Sequence, residues 1–326
     1  MTSTLPVRAA WCGALGVLLA CSHALAQPDS YPSKPITIVV GYPAGGSTDL
    51  TGRVLGLELS KKLGVPVIID NVGGAGGAIG AQKVANAAAD GYTLLVGASN
   101  EIAISRLVSS AVKYDIKDFT PIGLIATQPM VLVASQKSGV KTVEQFLRQV
   151  SQNPGKYSYG SSGVGTALHL AGEMVKDQGG LFMTHIPYRG VAPLANDLLG
   201  NNIDFGVFVM SSGLPHIRSG KVVALGTTEA RRSPLTADIP ALAETPKLKG
   251  IDINIWFALM GPARMPEPVV AKLKKALNDS LQTIELRKKL EDSGSTVSPL
   301  DVNMPAFMKQ ETAKYQRIVD FAKIKE

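Results

Sequence analysis

Cysteine is nearly missing from this chain: Cys12 and Cys21 are the only two, and both lie close to the start. Removal of a leader ending at Ala26 would leave none, which excludes disulfides, thiolate catalysis and cysteine-held metals together. Histidine is almost as scarce. His169, His185 and His216 are the ones beyond residue 26, and none has a partner at metal-ligand spacing. Beyond residue 26 no apolar run is long enough to span a bilayer. Lys and Arg form no long run and no basic–aromatic interleaving, so the formal charge of +7 does not indicate nucleic acid. It equally suits a mildly basic surface that attracts small anions. A Gly-x-Ser-x-Gly elbow and a His-Glu-x-x-His motif are also absent.

What is present begins with an export signal. Arg8 precedes an apolar stretch over 9–20, and Ala24-Leu25-Ala26 fits the small-x-small rule for cleavage before Gln27. Residues 1–26 therefore read as a signal peptide. Leu18-Leu19-Ala20-Cys21 also fits a lipoprotein processing site, the alternative being a lipid-anchored chain that starts at Cys21. The rest, 45% hydrophobic and 18% charged over the full length, has globular composition and is long enough for two domains.

The remainder of the chain is organised around the stretch ITIVVGYPAGGSTDL. A β-branched run, Ile36–Val40, stops at Gly41; a turn, Tyr42-Pro43-Ala44-Gly45-Gly46, leads to Ser47-Thr48-Asp49 and a helix over 49–63. Glycines let backbone approach a bound group, Ser47, Thr48 or Asp49 is expected to cap the helix, and a helix N-terminus suits an anion. A lysine where Ser47 stands would be needed for a nucleotide P-loop, so that reading fails.

Gly64 stops the helix, and a short strand over 67–69 leads to a second glycine turn, 71–77, and a helix over 79–88. Asp90-Gly91 then precedes a third strand, 92–96, whose exit carries Ser99-Asn100-Glu101. Continuous apolar strands alternating with helices argue for a parallel α/β sheet, with ligands beyond the carboxyl ends of the strands. Two strand-like runs flank Thr127-Gln128-Pro129, a crossing to a second domain; a Thr142-x-x-Gln145 capping box opens a helix over 142–152. A counterpart of the opening turn comes next, Gly160-Ser161-Ser162-Gly163-Val164-Gly165-Thr166, then a helix containing His169. Further on, Pro187-Tyr188-Arg189-Gly190 is a turn, and alternation near 251–260 marks the return crossing before three C-terminal helices. Two α/β lobes joined by two crossings, each with a glycine turn, describe a hinged clamp.

The chain closely resembles the Bug-type substrate-binding proteins of tripartite tricarboxylate transport systems, a branch of the periplasmic binding proteins. The resemblance runs from Tyr31 to Val319. It is carried by Tyr31-Pro-Ser-Lys-Pro-Ile36, Gly45-Gly-Ser-Thr-Asp49, Gly73-Gly-Ala-Gly-Gly77, Asp90-Gly-Tyr-Thr-Leu94, Tyr159-Gly-Ser-Ser-Gly163 and Pro187-Tyr-Arg-Gly190. It implies a two-lobed, Venus-flytrap, type II-like α/β fold and a small carboxylate held by loop N–H groups and hydroxyls. By position, Tyr42, Ala44, Gly45, Gly46, Ser47, Thr48 and Asp49 form one wall, joined by Ser99. Ser161, Ser162, Gly165, Thr166 and His169 form the other. Asp49 reads as a cap or an acceptor that orients loop amides. Tyr42 and Glu101 depart from the family pattern, and a carboxylate at Glu101 would repel an anion unless turned away.

The expected organisation is lobe 1 from 27–126 plus 250–326 and lobe 2 from 127–249. The expected protein is a monomeric periplasmic receptor for a small organic or amino acid, serving membrane permease subunits, with no cofactor, no metal and no catalysis. Two alternatives stand beside it: a serine hydrolase with Ser161 or Ser162 as nucleophile and His169 as base, and a sensory receptor for a membrane kinase.

Overall fold

The computed structural model describes residue 2 and residues 31–325, so both readings of the leader, cleavage after Ala26 and anchoring at Cys21, lie outside the described residues. The first β-α-β-α-β run is β1 (Ile36–Val40), α1 (Ser47–Leu63), β2 (Val67–Asn71), α2 (Ala78–Ala85) and β3 (Thr93–Ala98). β1 pairs in parallel with β2 on one side and β3 on the other, as continuous buried runs favour. Val54, Leu55 and Leu59 are the buried apolar face of α1, and Gly64 closes it in the left-handed region at φ 72°.

After β3 the chain makes a π-helical turn (Asn100–Ile104), in which the Ser105 N–H reaches back to the Asn100 carbonyl, and then α3 (Ser105–Val108). β4 (Phe119–Ser135) comes after it. Lobe 2 is built from α4 (Val143–Gln152), β5 (Ser158–Ser161), α5 (Ala167–Gly179), β6 (Thr184–Pro187), α6 (Val191–Leu199), β7 (Phe205–Val209), α7 (Met210–Arg218) and β8 (Val222–Thr227). Thr142 caps α4 by accepting from the Gln145 N–H. β9 (Asn254–Pro262) leads back to α8 (Glu267–Leu281), α9 (Ile284–Asp292), β10 (Thr296–Val297) and α10 (Met304–Ala322).

The strands that alternate with helices pair in parallel as expected, and the crossing strands, whose direction the sequence does not show, make the sheets mixed. The order is β2-β1-β3-β9-β4-β7-β5-β6, with β8 and β10 also on β4. The β1–β2, β1–β3, β5–β6 and β5–β7 pairs are parallel. β9 runs antiparallel to β3 and β4, because a returning crossing strand must enter from the opposite end. The crossing itself is one extended strand rather than two runs around a break. The first part of β4, to Pro129, pairs with β9, and Met130–Ala134 pairs with β7. Gln128 survives there, 1% exposed, because Nε2 donates to the Ser293 carbonyl (2.8 Å) and Ser295 Oγ (3.0 Å). Its Oε1 accepts from Ser211 Oγ at 3.1 Å. Leaving such a group unpaired would cost about 1–3 kcal/mol. Lobe 2 has its own core of Val131, Val133, Leu194, Leu198, Phe208 and Met210.

Candidate functional site

Three glycine-bearing turns meet at the ends of the strands. The first, after β1, enters α1 with Gly46 as N-cap and no side-chain cap, so none of Ser47, Thr48 and Asp49 caps the helix. Asp49 faces back instead: Oδ2 accepts the Gly45 N–H (2.8 Å) and Arg53 Nε (2.9 Å), while Oδ1 accepts Asn71 Nδ2 (2.9 Å). Against the opposing effect of burial, these hydrogen bonds hold its carboxyl below the ordinary carboxylate range. Asn71 Nδ2 also reaches the Tyr42 carbonyl at 2.9 Å, so Asp49 and Asn71 together fix the loop.

The second turn packs directly on the first. A Cβ at Gly41 would lie 2.7 Å from the Gly77 carbonyl oxygen, and one at Gly80 would lie 2.8 Å from the Gly41 Cα. Only bare backbone fits at that approach. Tyr42 spans the junction. Its hydroxyl is 2.8 Å from the Gly76 carbonyl, 2.7 Å from Glu101 Oε2 and 3.1 Å from Asn100 Nδ2. Glu101 is fully buried; burial pushes its carboxyl up to about 7, against the pull of the Ala98 N–H on Oε1 and of Tyr42. The expected repulsion is thus avoided by turning the carboxyl away from solvent. Burial likewise raises the Tyr42 hydroxyl.

The third turn belongs to lobe 2. Thr166 caps α5, accepting from the His169 N–H. Ser162 Oγ donates to Thr166 Oγ1 at 3.2 Å. Asn100 crosses the gap between lobes: its Oδ1 accepts the Ala167 N–H at 2.8 Å, at the first turn of α5. Behind this turn lies an aromatic stack. His169 and His185 are parallel at 3.9 Å, and His185 rests on Tyr159 at 4.8 Å. His169 Nδ1 accepts the Gly165 N–H at 3.1 Å, which places the ring proton on Nε2, 3.8 Å from Glu173 Oε1. His185 Nε2 is 2.7 Å from Ser161 Oγ. Burial lowers His169 to about 4 and His185 to about 3, so both rings are neutral near pH 7.

Between the turns lies a cleft of about 490 Å³. Gly76, Ala78, Ile79 and Asn100 line it from lobe 1, and Ser162, Val164, Gly165 and Thr166 from lobe 2. The segment after the π-helical turn adds Ser105, Val108, Ser109, Val112 and Lys113. Of the expected residues, Ser162, Gly165 and Thr166 therefore face this cleft. Tyr42 reaches its edge by bonding Asn100 and Gly76. Ala44 and Gly45 are exposed, with Gly46 and Ser47 half-buried, at the first turn, while Thr48 and Asp49 are buried behind it. Ser99 and Ser161 are fully buried, and His169 is backing. The 105–113 segment is absent from the expected walls because it has neither a glycine run nor a clear period. Ser105 and Ser109, four apart, are its one signal in the sequence. A larger, more open hollow of about 720 Å³ lies against α1, lined by Leu50, Arg53, Lys289 and Asp292 and by none of the residues of the three turns.

The family model described as the tripartite tricarboxylate transporter family receptor matches residues 51–323. Protein BugT of Bordetella pertussis is 32% identical over 286 residues, 86% of this chain and 87% of that one. The solved structure of R. palustris Rpa4515 with adipate is 30% identical, with a TM-score of 0.85 over 90% of this chain and 99% of that one. MatC from Rhodopseudomonas palustris with bound malate is 29% identical, with a TM-score of 0.81 over 89% and 100%. This two-lobed α/β clamp is thus the periplasmic-binding-protein fold, and the chain belongs to the tripartite tricarboxylate transporter receptor family, among its Bug-type members.

Proposed function

We propose that this chain is a periplasmic receptor that captures a small carboxylate between its lobes and presents it to membrane subunits of a tripartite transporter. The observation that carries the reading is the cleft itself, with polar groups converging on one volume from both lobes: Asn100 from one, Ser162 and Thr166 from the other. Charge-assisted hydrogen bonds to a carboxylate in such a place are worth roughly 1.5–3 kcal/mol each. Family relatives with adipate and with malate bound support the same class of ligand. Lobes of 27–126 plus 250–326 and of 127–249 are part of this reading, supported by the change of β4 partners between Pro129 and Met130 and by the return of the chain through β9 from Asn254. The first-turn groups from Tyr42 to Asp49, with Ser99, complete the proposed wall as contacts or as its support. A thermal-shift titration tests the reading: a bound acid must raise the melting temperature by mass action. A folded protein that responds to no carboxylate removes it.

One observation favours a second reading, the 2.7 Å approach of Ser161 Oγ to His185 Nε2, a nucleophile–base geometry. It differs from the expected pairing with His169, whose Nδ1 is occupied by the Gly165 N–H. Ser161 is fully buried and outside the cleft lining, and a base at about 3 is too weak to activate a hydroxyl near pH 7. Stoichiometric binding without release of product from ester substrates decides against hydrolysis.

A further inference from the structure

We infer that the carboxylate this cleft takes has an apolar body and carries its negative charge at one end, an alkanoate or an arylcarboxylate rather than a hydroxylated polyacid. The inference rests on the receptor reading and narrows it. Its basis is the composition of the two walls. Ala78, Ile79, Val108 and Val112 face the cleft from lobe 1, and Val164 faces it from lobe 2. Ile79 and Val164 are 53% and 36% exposed, although each stands on a wall of the cleft where it could have been polar at no cost to the core. Large aliphatic side chains left in contact with water on both sides of one volume have apolar surface still to bury.

Charge points the same way. Among the residues that line the cleft, Lys113 is the one charged side chain, and no Asp, Glu or Arg is present. Its Nζ donates to the Ser110 carbonyl at 3.1 Å and forms no ion pair among the described residues. The hydroxyls of Ser105, Ser109, Tyr114, Ser162 and Thr166 and the carboxamides of Gln82 and Asn100 are the uncharged polar side chains around it. That set serves one carboxylate. A second or third on the same ligand would lie against Ile79 and Val164 with no second cation among the lining side chains, which disfavours binding relative to an apolar group in that place. Extra methylenes, by contrast, would each move apolar surface out of water and tighten binding about fourfold.

The test is calorimetry with the purified chain and a matched set of acids: butyrate, hexanoate, octanoate, benzoate, malate and citrate. The expected result is affinity rising about fourfold per methylene from butyrate to octanoate, with benzoate in the same range and malate and citrate at least tenfold weaker. Ile79→Thr and Val164→Ser, both at exposed positions that the fold does not need, should weaken octanoate about tenfold each and flatten the series. Malate or citrate binding more tightly than octanoate and benzoate overturns this inference and leaves the receptor reading standing. So does a chain-length series that stays unchanged in both variants. No binding by any of the six acids to folded protein overturns the receptor reading instead.

Discussion

The Tyr42 hydroxyl stands 2.7 Å from Glu101 Oε2 while it also lies 2.8 Å from the Gly76 carbonyl. A phenol has one proton, and the Gly76 oxygen can only accept, as Asn100 Nδ2 can only donate. All three bonds are made together when Glu101 supplies the proton, so a neutral Glu101 is the form that fits this junction.

Stability should therefore depend on pH in a specific way. Glu101 is raised from 4.5 to about 7 by burial, so its contribution is full below about 4.5 and is lost as pH rises through about 7. The loss is on the order of 3 kcal/mol. His169 and His185 act oppositely: lowered from 6.5 to about 4 and about 3, they cost stability as pH falls below 6.5. Together these groups place a maximum near pH 6.5. Glu101→Gln should remove the alkaline decline and leave the acid one. A Gln variant with an unchanged melting profile from pH 6 to 9 would show that Glu101 is ionised in the native state.

The Asn100–Ala167 bond should bias the lobes toward closure. A neutral hydrogen bond is worth about 1 kcal/mol net, so Asn100→Ala should shift the open–closed ratio about fivefold. Small-angle scattering of the ligand-free protein should report a larger radius of gyration. An unchanged radius would mean that the bond holds nothing.

Gly165 sits at φ +68°, and a Cβ there would come within 2.5 Å of Val108 Cγ2 on the facing lobe. Gly165→Ala should weaken ligand binding more than tenfold, by strain of about 1–2 kcal/mol at the turn and by propping the cleft open. Wild-type affinity in this variant would show that closure does not need the contact.

Two other glycines should behave in opposite ways. Gly80→Ala pushes a methyl against the Gly41 backbone and should cost about 1–3 kcal/mol of stability. Gly46 has φ −83°, and the nearest atom to a new Cβ there is the Pro43 carbonyl oxygen at 4.0 Å. Gly46→Val should keep the melting temperature and abolish binding, because its side chain covers the open first turn of α1. Normal binding by Gly46→Val would remove the first turn from the site.

Much of this architecture is legible in the sequence, at residues whose chemistry is local. Glycine turns after β-branched runs are visible because glycine is the residue that permits such close approach, as at Gly41 and Gly80. Thr142 announces a helix start through its own capping chemistry, and Thr166 caps α5 in the same way. Asp49 is legible as an acceptor for loop amides, but its geometry toward Gly45 is not. The direction of β9 is hidden, since a strand buried on both faces looks alike whether parallel or antiparallel. The 105–113 wall is hidden for another reason: a cleft lining assembled from a π-helical turn and a short helix has no period to read. Ser161 meets His185 rather than His169 because His185 reaches it through sheet pairing, with Tyr159 opposite His185 in β5 and β6.

The single strand that traverses both lobes also governs the order of assembly. Leu95 pairs with Met260, and Thr127 with Thr296, so the first lobe's sheet has no complete edge until nearly the whole polypeptide has been made. Pairings so distant in sequence carry a large loop-closure cost and fold slowly. A nascent chain of this design stays unfinished through most of its synthesis, because the strand partners that complete its first sheet arrive last.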